Sequence, residues 1–117
     1  MEINSYTHDH IYVLQMSGRF DAVSAQEVLD WLDSHLDVRP ACLVVNLGLV
    51  SFMDSLALAV MVKAMKHCRE QDGNLHLCCL NPSVQILFEL TRLDRAFDIF
   101  ATEEEAINAF TVLHPDM

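Results

Sequence analysis

The residue of this sequence best placed to do chemistry is a serine that follows an aspartate after an apolar segment. The segment runs Val50-Ser51-Phe52-Met53-Asp54-Ser55. It predicts an apolar strand, then a short loop, then a helix that starts near Asp54. Ligands and partners of doubly wound sheets act at the carboxyl edge of the strands. Ser55 would lie beside unpaired backbone N–H groups at the positive end of the helix dipole, where an added phosphate is well tolerated. The alternative is purely structural, with Asp54 as an N-cap and Ser55 as an ordinary first-turn residue.

Cysteines and histidines raise the question of a metal or redox site. The four cysteines all lie in apolar segments: Cys42, Cys68, Cys78 and Cys79. Free cysteine in such segments behaves as a small hydrophobe, and the sequence has no C-x-x-C spacing. His76 and Cys78 would share one face of a strand, but a structural zinc site needs four converging ligands. We therefore expect no metal and four reduced, mostly buried thiols.

Signatures of catalysis are missing from the chain. The sequence has no Walker loop, no G-x-G-x-x-G and no G-x-S-x-G elbow. The acidic run Glu103–Glu105 is the start of a helix rather than a pair of acid and base groups. We expect neither an enzyme nor a bound cofactor.

Size and charge narrow the function further. The chain has 117 residues, the size of one domain, and a formal net charge of −10. That charge repels phosphate backbones and anionic membranes, which excludes nucleic acid as an expected partner. The longest unbroken apolar run, Leu56–Val62, is far shorter than the roughly 20 residues of a membrane span. The amino terminus has no apolar signal core. We expect a cytoplasmic protein that does not insert into a membrane.

The first half of the chain predicts a hairpin, a helix and a buried strand. Ile3–Ser17 reads as two strands with a turn near Asp9, the second ending at Gly18. Ser24 and Glu27 match a capping box, which predicts that a helix starts there and ends before Arg39-Pro40. Ala41–Leu47 is apolar with little alternation, as expected of a central strand covered on both faces.

The second half alternates helices and strands. The helix from Asp54 ends at Asp72-Gly73-Asn74. A strand over Leu75–Leu80 follows, then a helix capped by Asn81, a short strand over 97–100 and a last helix opened by Thr102. Residues after Leu113 are expected to fray. The order β-β-α-β-α-β-α-β-α predicts one α/β domain over 1–117, with its core at about 3–112, built on a mixed sheet of four to five strands with about four helices.

Three motifs in this order resemble one family. The run NLGLVSFMDSLALAVMVKA resembles the signature of STAS domains, the anti-sigma factor antagonists: an apolar strand, a short loop, then Asp-Ser and a helix. The upstream GRFD is similar to their G-x-[LF]-D turn. The later GNLHLCCLNPSVQILFELTRLDRAFDIFATEEEAI is similar to their strand, N/S-P-x-V helix, short strand and last helix. The resemblance covers residues 10–112 and predicts a single STAS-type domain.

The resemblance implies a phosphorylation switch. Ser55 matches the serine that an anti-sigma factor serine kinase phosphorylates in this family and that a cognate phosphatase restores. The unphosphorylated domain binds the kinase and so frees a sigma factor. Asp54 matches the family's preceding aspartate, and Asp21 matches an aspartate near the site. In this reading Met53, Leu56 and Ala57 border Ser55 and form the partner interface.

One departure leaves two functions open. The family continues D-S-[ST]-G-L, whereas this chain has Leu56-Ala57-Leu58 after Ser55. The first alternative is a phosphorylatable antagonist in a partner-switching pathway. The second is a STAS subunit that is never phosphorylated and docks on a membrane transporter of the ABC type. The sequence identifies neither the partner nor the oligomeric state.

Overall fold

The fold contains the predicted elements in the predicted order. The computed structural model of the protein describes residues 1–112, with side chains as far as residue 110, so the predicted fraying after Leu113 lies outside the described residues. The strands are β1 (Glu2–His8), β2 (Ile11–Phe20), β3 (Cys42–Met53), β4 (Asn74–Cys78) and β5 (Asp98–Phe100). The helices are α1 (Ala22–His35), α2 (Ser55–Glu70), α3 (Pro82–Leu90) and α4 (Glu103–Val112). A short 3₁₀ turn, Leu93–Arg95, follows α3 and was not predicted.

The five strands form one mixed sheet in the order β1-β2-β3-β4-β5. β1 pairs antiparallel with β2 through the predicted hairpin, whose turn contains Asp9 with a φ of 58°. The pairs β2–β3, β3–β4 and β4–β5 are parallel. Because parallel strands end at the same edge, the starts of α1, α2 and α3 meet at the carboxyl edge of the sheet. The prediction of a mixed α/β sheet is confirmed.

Helices cover the two faces of the sheet unequally. α1, α2 and α3 pack on one face over the main core, to which they contribute Val28, Leu32, Met61, Met65, Val84 and Phe88. α4 packs on the other face over a smaller cluster that includes Ile107 and Phe110. β3 is buried on both faces over Cys42–Val45, as its continuous apolar sequence predicts.

The predicted loop between the strand and α2 does not exist. β3 continues through Val50 to Met53, and the helix starts two residues later. The prediction that β2 ends at Gly18 is wrong for the same reason. β2 runs on to Phe20, and the ladder pairs Phe20 with Met53, so both strands stay extended to the edge. Gly18, at a φ of 98°, lies within β2, where the register shifts.

The predicted start of α1 at Ser24 is also wrong. Asp21 is the N-cap, and its carboxylate accepts from the backbone N–H groups of Val23 and Ser24. The Ser24 hydroxyl oxygen accepts in return from the backbone N–H of Asp21 at 2.9 Å. Ser24 is therefore the N3 residue of the capping box and not its N-cap. The Asp21 carboxylate, three residues earlier, already binds the free backbone N–H groups of the first turn. The helix ends at His35, before Arg39-Pro40 as predicted.

Candidate functional site

Asp54 holds the first turns of two helices together. Its Oδ1 accepts from the backbone N–H of Ala57 at 2.9 Å, which caps α2 as predicted. Its Oδ2 accepts from the backbone N–H of Ala22 at 3.0 Å, at the start of α1. The Asp54 N–H donates to the carbonyl of Phe20 at 3.3 Å, one residue before the α1 N-cap. Both carboxylate oxygens are therefore committed to backbone amides.

Asp21 lies at the same edge of the sheet, since the next residue, Ala22, donates its backbone N–H to Asp54. Partial desolvation raises the pKa of the Asp21 carboxyl, but hydrogen bonds from Ser24 and Val23 and the nearby Arg19 guanidinium lower it more. The pKa therefore lies below its ordinary value, and Asp21 is ionised at neutral pH. The structure thus brings two carboxylates to the carboxyl edge of the sheet, where Asp21 caps α1 and Asp54 caps α2.

Ser55 is the first residue of α2, and its side chain is exposed. Its hydroxyl has no hydrogen-bond partner among the described side chains and backbone groups, so it is free to react or to bind. Leu56 is 54% exposed beside it, whereas Met53 and Ala57 are buried in the main core. The predicted partner interface of Met53, Leu56 and Ala57 stays a prediction, and Leu56 is the member of the three that presents a surface.

Sequence analysis missed a cation at this edge. The Arg19 guanidinium carbon lies 4.1 Å from the centroid of the Phe52 ring, and the Arg19 Nε lies 3.6 Å from Asp21 Oδ2. This is the geometry of a cation–π pair. The alternation of side chains along β2 could have indicated where Arg19 lies. Phe20 points into the core, so Arg19 must point to the opposite face.

A second polar cluster lies under the start of α4. Glu103 Oε1 accepts from Gln15 Nε2 at 3.0 Å and from Asn46 Nδ2 at 2.9 Å, and Oε2 accepts from the Tyr6 hydroxyl. Desolvation raises the pKa of Glu103, but the three hydrogen bonds lower it by a larger amount. The pKa of Glu103 therefore lies below its ordinary value. The sequence predicted Glu103 only as a helix start. The three strands that converge on it could not be read from local spacing.

The cysteine thiols are free, as predicted. Cys42, Cys68 and Cys78 are buried, and Cys79 is half-buried just after β4. Burial, with a contribution from Cys42, raises the pKa of the Cys68 thiol to about 12. Within the described residues, no three His, Cys, Asp or Glu side chains are placed together to hold a metal ion.

Comparisons with known proteins identify the family and the fold. The STAS domain model matches residues 2–106. An anti-sigma-B factor antagonist of Listeria monocytogenes is 33% identical over 105 residues, covering 90% of this chain and 91% of that protein. A STAS domain protein of Planctomyces limnophilus superimposes with a TM-score of 0.85 at 18% identity, over 93% of this chain and 97% of its own.

The phosphorylated form of the Bacillus protein SpoIIAA superimposes with a TM-score of 0.72 at 21% identity, over 92% of this chain and 98% of its own. Among the helices of residues 1–112, none is long and apolar enough to cross a membrane. The fold is therefore that of the solved STAS domain protein of Planctomyces limnophilus. The chain belongs to the STAS domain family, whose members include anti-sigma factor antagonists.

Proposed function

We propose that this protein is an anti-sigma factor antagonist that acts as a binding module in a partner-switching pathway, with Ser55 as its phosphoacceptor. The observation that carries the proposal is the exposed, unpartnered Ser55 hydroxyl, directly after an aspartate whose carboxylate is committed to capping. The antagonist named for Listeria monocytogenes and the phosphorylated form of SpoIIAA support the same role. In this role the protein is a substrate and ligand, not an enzyme, and it acts in the cytoplasm.

The covalent step uses only the Ser55 hydroxyl of this chain. A partner anti-sigma factor serine kinase transfers the γ-phosphoryl group of ATP to Ser55 Oγ, the hydroxyl proton is lost, and ADP leaves. A cognate phosphatase hydrolyses the Oγ–P bond and restores the hydroxyl. The phosphate adds about −1.5 to −2 charges at the α2 start, where the helix dipole favours a negative group. The fold therefore tolerates the change, while the surface offered to the kinase is altered.

The Leu56-Ala57 departure is compatible with this role. The Ala57 N–H is bound to Asp54 Oδ1, and the Ala57 methyl is buried, so alanine fits where the family has glycine. Neither Leu56 nor Ala57 removes a backbone N–H from the first turn. In the proposed complex, the exposed Leu56 contacts the partner directly. Met53 and Ala57 are buried beside it and hold its backbone in place.

The decisive experiment is phosphorylation in vitro. The protein is incubated with ATP and each anti-sigma factor serine kinase encoded in the same genome, and labelled peptides are mapped. We expect one kinase to label Ser55 and the Ser55→Ala variant to lose the label. Ser83→Ala is the matched control, because Ser83 is an exposed serine in the first turn of α3, and this variant keeps the label. A label that persists in Ser55→Ala contradicts the proposal.

The alternative of a transporter-docked STAS subunit has less support. The relative from Listeria monocytogenes that is 33% identical is named an anti-sigma-B factor antagonist. A transporter subunit needs no free hydroxyl at Ser55. Ser55→Asp should therefore leave the affinity of such a subunit for a permease unchanged, whereas it should weaken the binding of an antagonist to its kinase.

A further inference from the structure

α4 covers only the first part of its face of the sheet. It packs on Ile11 and Val13 of β2 and on Cys42 and Val44 of β3, all near the starts of these strands. Its first residue, Glu103, contacts Gln15 and Asn46. The helix therefore begins over the middle of β2 and β3, and these two strands extend beyond it toward the carboxyl edge.

The strand ends beyond α4 carry exposed apolar side chains. Leu49 is 76% exposed and Phe52 is 39% exposed, although both belong to a central strand. Their neighbours Val50 and Met53 are buried in the main core, so Leu49 and Phe52 point to the opposite face. The ladder pairs Ser17 with Leu49 and Arg19 with Phe52. We call these four residues, Ser17, Arg19, Leu49 and Phe52, the open sheet patch.

Arg19 lies in this patch in a loose ion pair with Asp21, and its N–H groups make no hydrogen bond within the described residues. Its side chain is 62% exposed and stacks on the Phe52 ring. The 3.6 Å between Arg19 Nε and Asp21 Oδ2 is too long for a hydrogen bond. Stacking fixes the plane of the guanidinium, whose N–H groups match a carboxylate in bidentate geometry. The patch therefore offers an apolar surface and an oriented cation.

The position of Arg19 stands out against the charge of the whole chain, which has only seven lysines and arginines. The other six lie in the second half of α2 or toward the amino edge of the sheet: Arg39, Lys63, Lys66, Arg69, Arg92 and Arg95. Lys63, the nearest along α2, is about 12 Å from Ser55 along the helix axis at 1.5 Å per residue. Among the described residues, Arg19 is thus the one lysine or arginine side chain at the carboxyl edge, next to two carboxylates that cap helices. A partner carboxylate here would share the exposed Arg19 guanidinium with Asp21.

We infer that the open sheet patch is a second docking surface for the protein partner that recognises Ser55. The inference rests on the proposed function and deepens it. The partner places an apolar side chain against Leu49 and Phe52 and a carboxylate on Arg19. Phe52 is two residues before Asp54, so a partner seated on Ser55 and Leu56 reaches the patch around the edge of the sheet. Arginine and aromatic residues are the types that dominate binding free energy at such interfaces.

The test measures binding of the purified kinase that labels Ser55, by calorimetry at one salt concentration. Leu49→Thr and Arg19→Glu should each weaken binding about tenfold or more, the usual loss at an interface anchor. Leu90→Thr and Arg95→Glu are matched controls on α3 and the turn after it, since Leu90 is 77% exposed and Arg95 is exposed. The controls should stay within about twofold of wild type. Unchanged melting temperatures show that the exposed substitutions leave the fold intact.

Charge reversal adds a second readout. The loss of kinase affinity in Arg19→Glu should become smaller at higher salt. A kinase variant in which one acidic residue is replaced by arginine should bind Arg19→Glu with restored affinity, but should not bind Leu49→Thr any better. If both patch variants bind like wild type while Ser55→Asp weakens binding, the patch is wrong and the proposed function stands. If no kinase binds the wild-type protein, the proposed function and the patch fail together.

Discussion

The Asp54 carboxylate accepts a hydrogen bond from the backbone N–H of Ala22, which precedes it by 32 residues. The other Asp54 oxygen caps α2, so one side chain satisfies an end of each of two helices. Asp54 therefore joins the first turns of α1 and α2 directly, in addition to the core that the two helices share. The arrangement uses both acceptor oxygens of the aspartate, whereas an ordinary helix cap uses one.

Replacing Asp54 should therefore cost more stability than losing an ordinary N-cap. Asp54→Ala removes the acceptors of Ala57 and Ala22, and we expect the free energy of unfolding to fall by about 2 kcal/mol or more, at or above the top of the N-cap range. Asp54→Asn keeps one acceptor oxygen and should lose about half as much. Urea unfolding measures both. Asp33→Ala, on the exposed face of α1, is the control and should change little. Equal stability of Asp54→Ala and wild type would contradict the shared-cap role.

Ser55→Asp should preserve the fold and weaken binding of the kinase. A negative group in the first turn of a helix is favoured by roughly 0.3–1 kcal/mol, so the melting temperature should not fall. In the complex the new charge is desolvated beside Asp54 and Asp21, and we expect a ten- to hundredfold loss of affinity, equivalent to about 1.4–3 kcal/mol. Ser55→Ala should bind like wild type. Calorimetry on the three proteins decides, and equal affinities would favour the transporter-docked alternative.

Glu103 should contribute to the stability of the fold at the start of α4 and to the raised pKa of Tyr6. Burial and the hydrogen bond to Glu103 raise the pKa of Tyr6 to about 12. Glu103→Gln removes the negative charge, so the Tyr6 pKa should move toward 10 while burial keeps it above that value. Glu103→Ala leaves the amides of Gln15 and Asn46 without their acceptor and should cost about 1–2 kcal/mol. Ultraviolet titration and urea unfolding measure these effects, with the exposed Glu104→Gln as control. An unchanged Tyr6 pKa in Glu103→Gln would refute the coupling.

His76 should make the protein less stable in mild acid. The imidazole is buried and stacked on Phe110, with Nδ1 2.8 Å from the Ala106 carbonyl, so the neutral ring carries its proton on Nδ1. Burial lowers the pKa of His76, against the opposing effects of the Ala106 carbonyl and Asp98. The unfolded chain then binds the proton first, near pH 6.5, so the free energy of unfolding falls as pH drops below that value.

The slope of this loss is at most about 1.4 kcal/mol per pH unit for one proton. Urea unfolding between pH 7 and 5 measures the slope. His76→Phe should flatten it, because phenylalanine keeps the stack and has no proton to bind. His10→Gln, in the exposed hairpin turn, should keep the wild-type slope. A slope unchanged by His76→Phe would assign the effect to other groups.

The sequence was sufficient to predict the order of the elements, because that order depends on local periodicity and capping. Asn81 before Pro82, for example, caps α3 as its local sequence indicates. The Asp54 cap was predicted on the same grounds. What failed depended on contacts between distant residues. The extension of β3 to Met53 needs the β2 ladder, and the extension of β2 needs β3 in turn.

The site shows the same division. Ser55, Asp54 and Asp21 were predicted as site residues because a family motif marks them along the chain. The Asp54–Ala22 bond, the Arg19–Phe52 stack and the Glu103 cluster each join residues from different elements. Such pairs have no signature in the spacing of neighbouring residues. Strand alternation alone could have placed Arg19 opposite the core, but not on a particular ring.

The strand order also has a consequence for how the chain folds. The hairpin brings His8 and Ile11 together across a two-residue turn, so β1 and β2 meet at little loss of chain entropy. The parallel pairs instead join residues that are far apart in sequence. Ile11 of β2 pairs with Cys42 of β3, and the whole of α1 lies between them in the chain. Non-local contacts of this kind slow folding relative to local ones. We therefore expect the hairpin to pair early and the crossover through α1 to set the rate, so that the carboxyl edge bearing Ser55 is completed late.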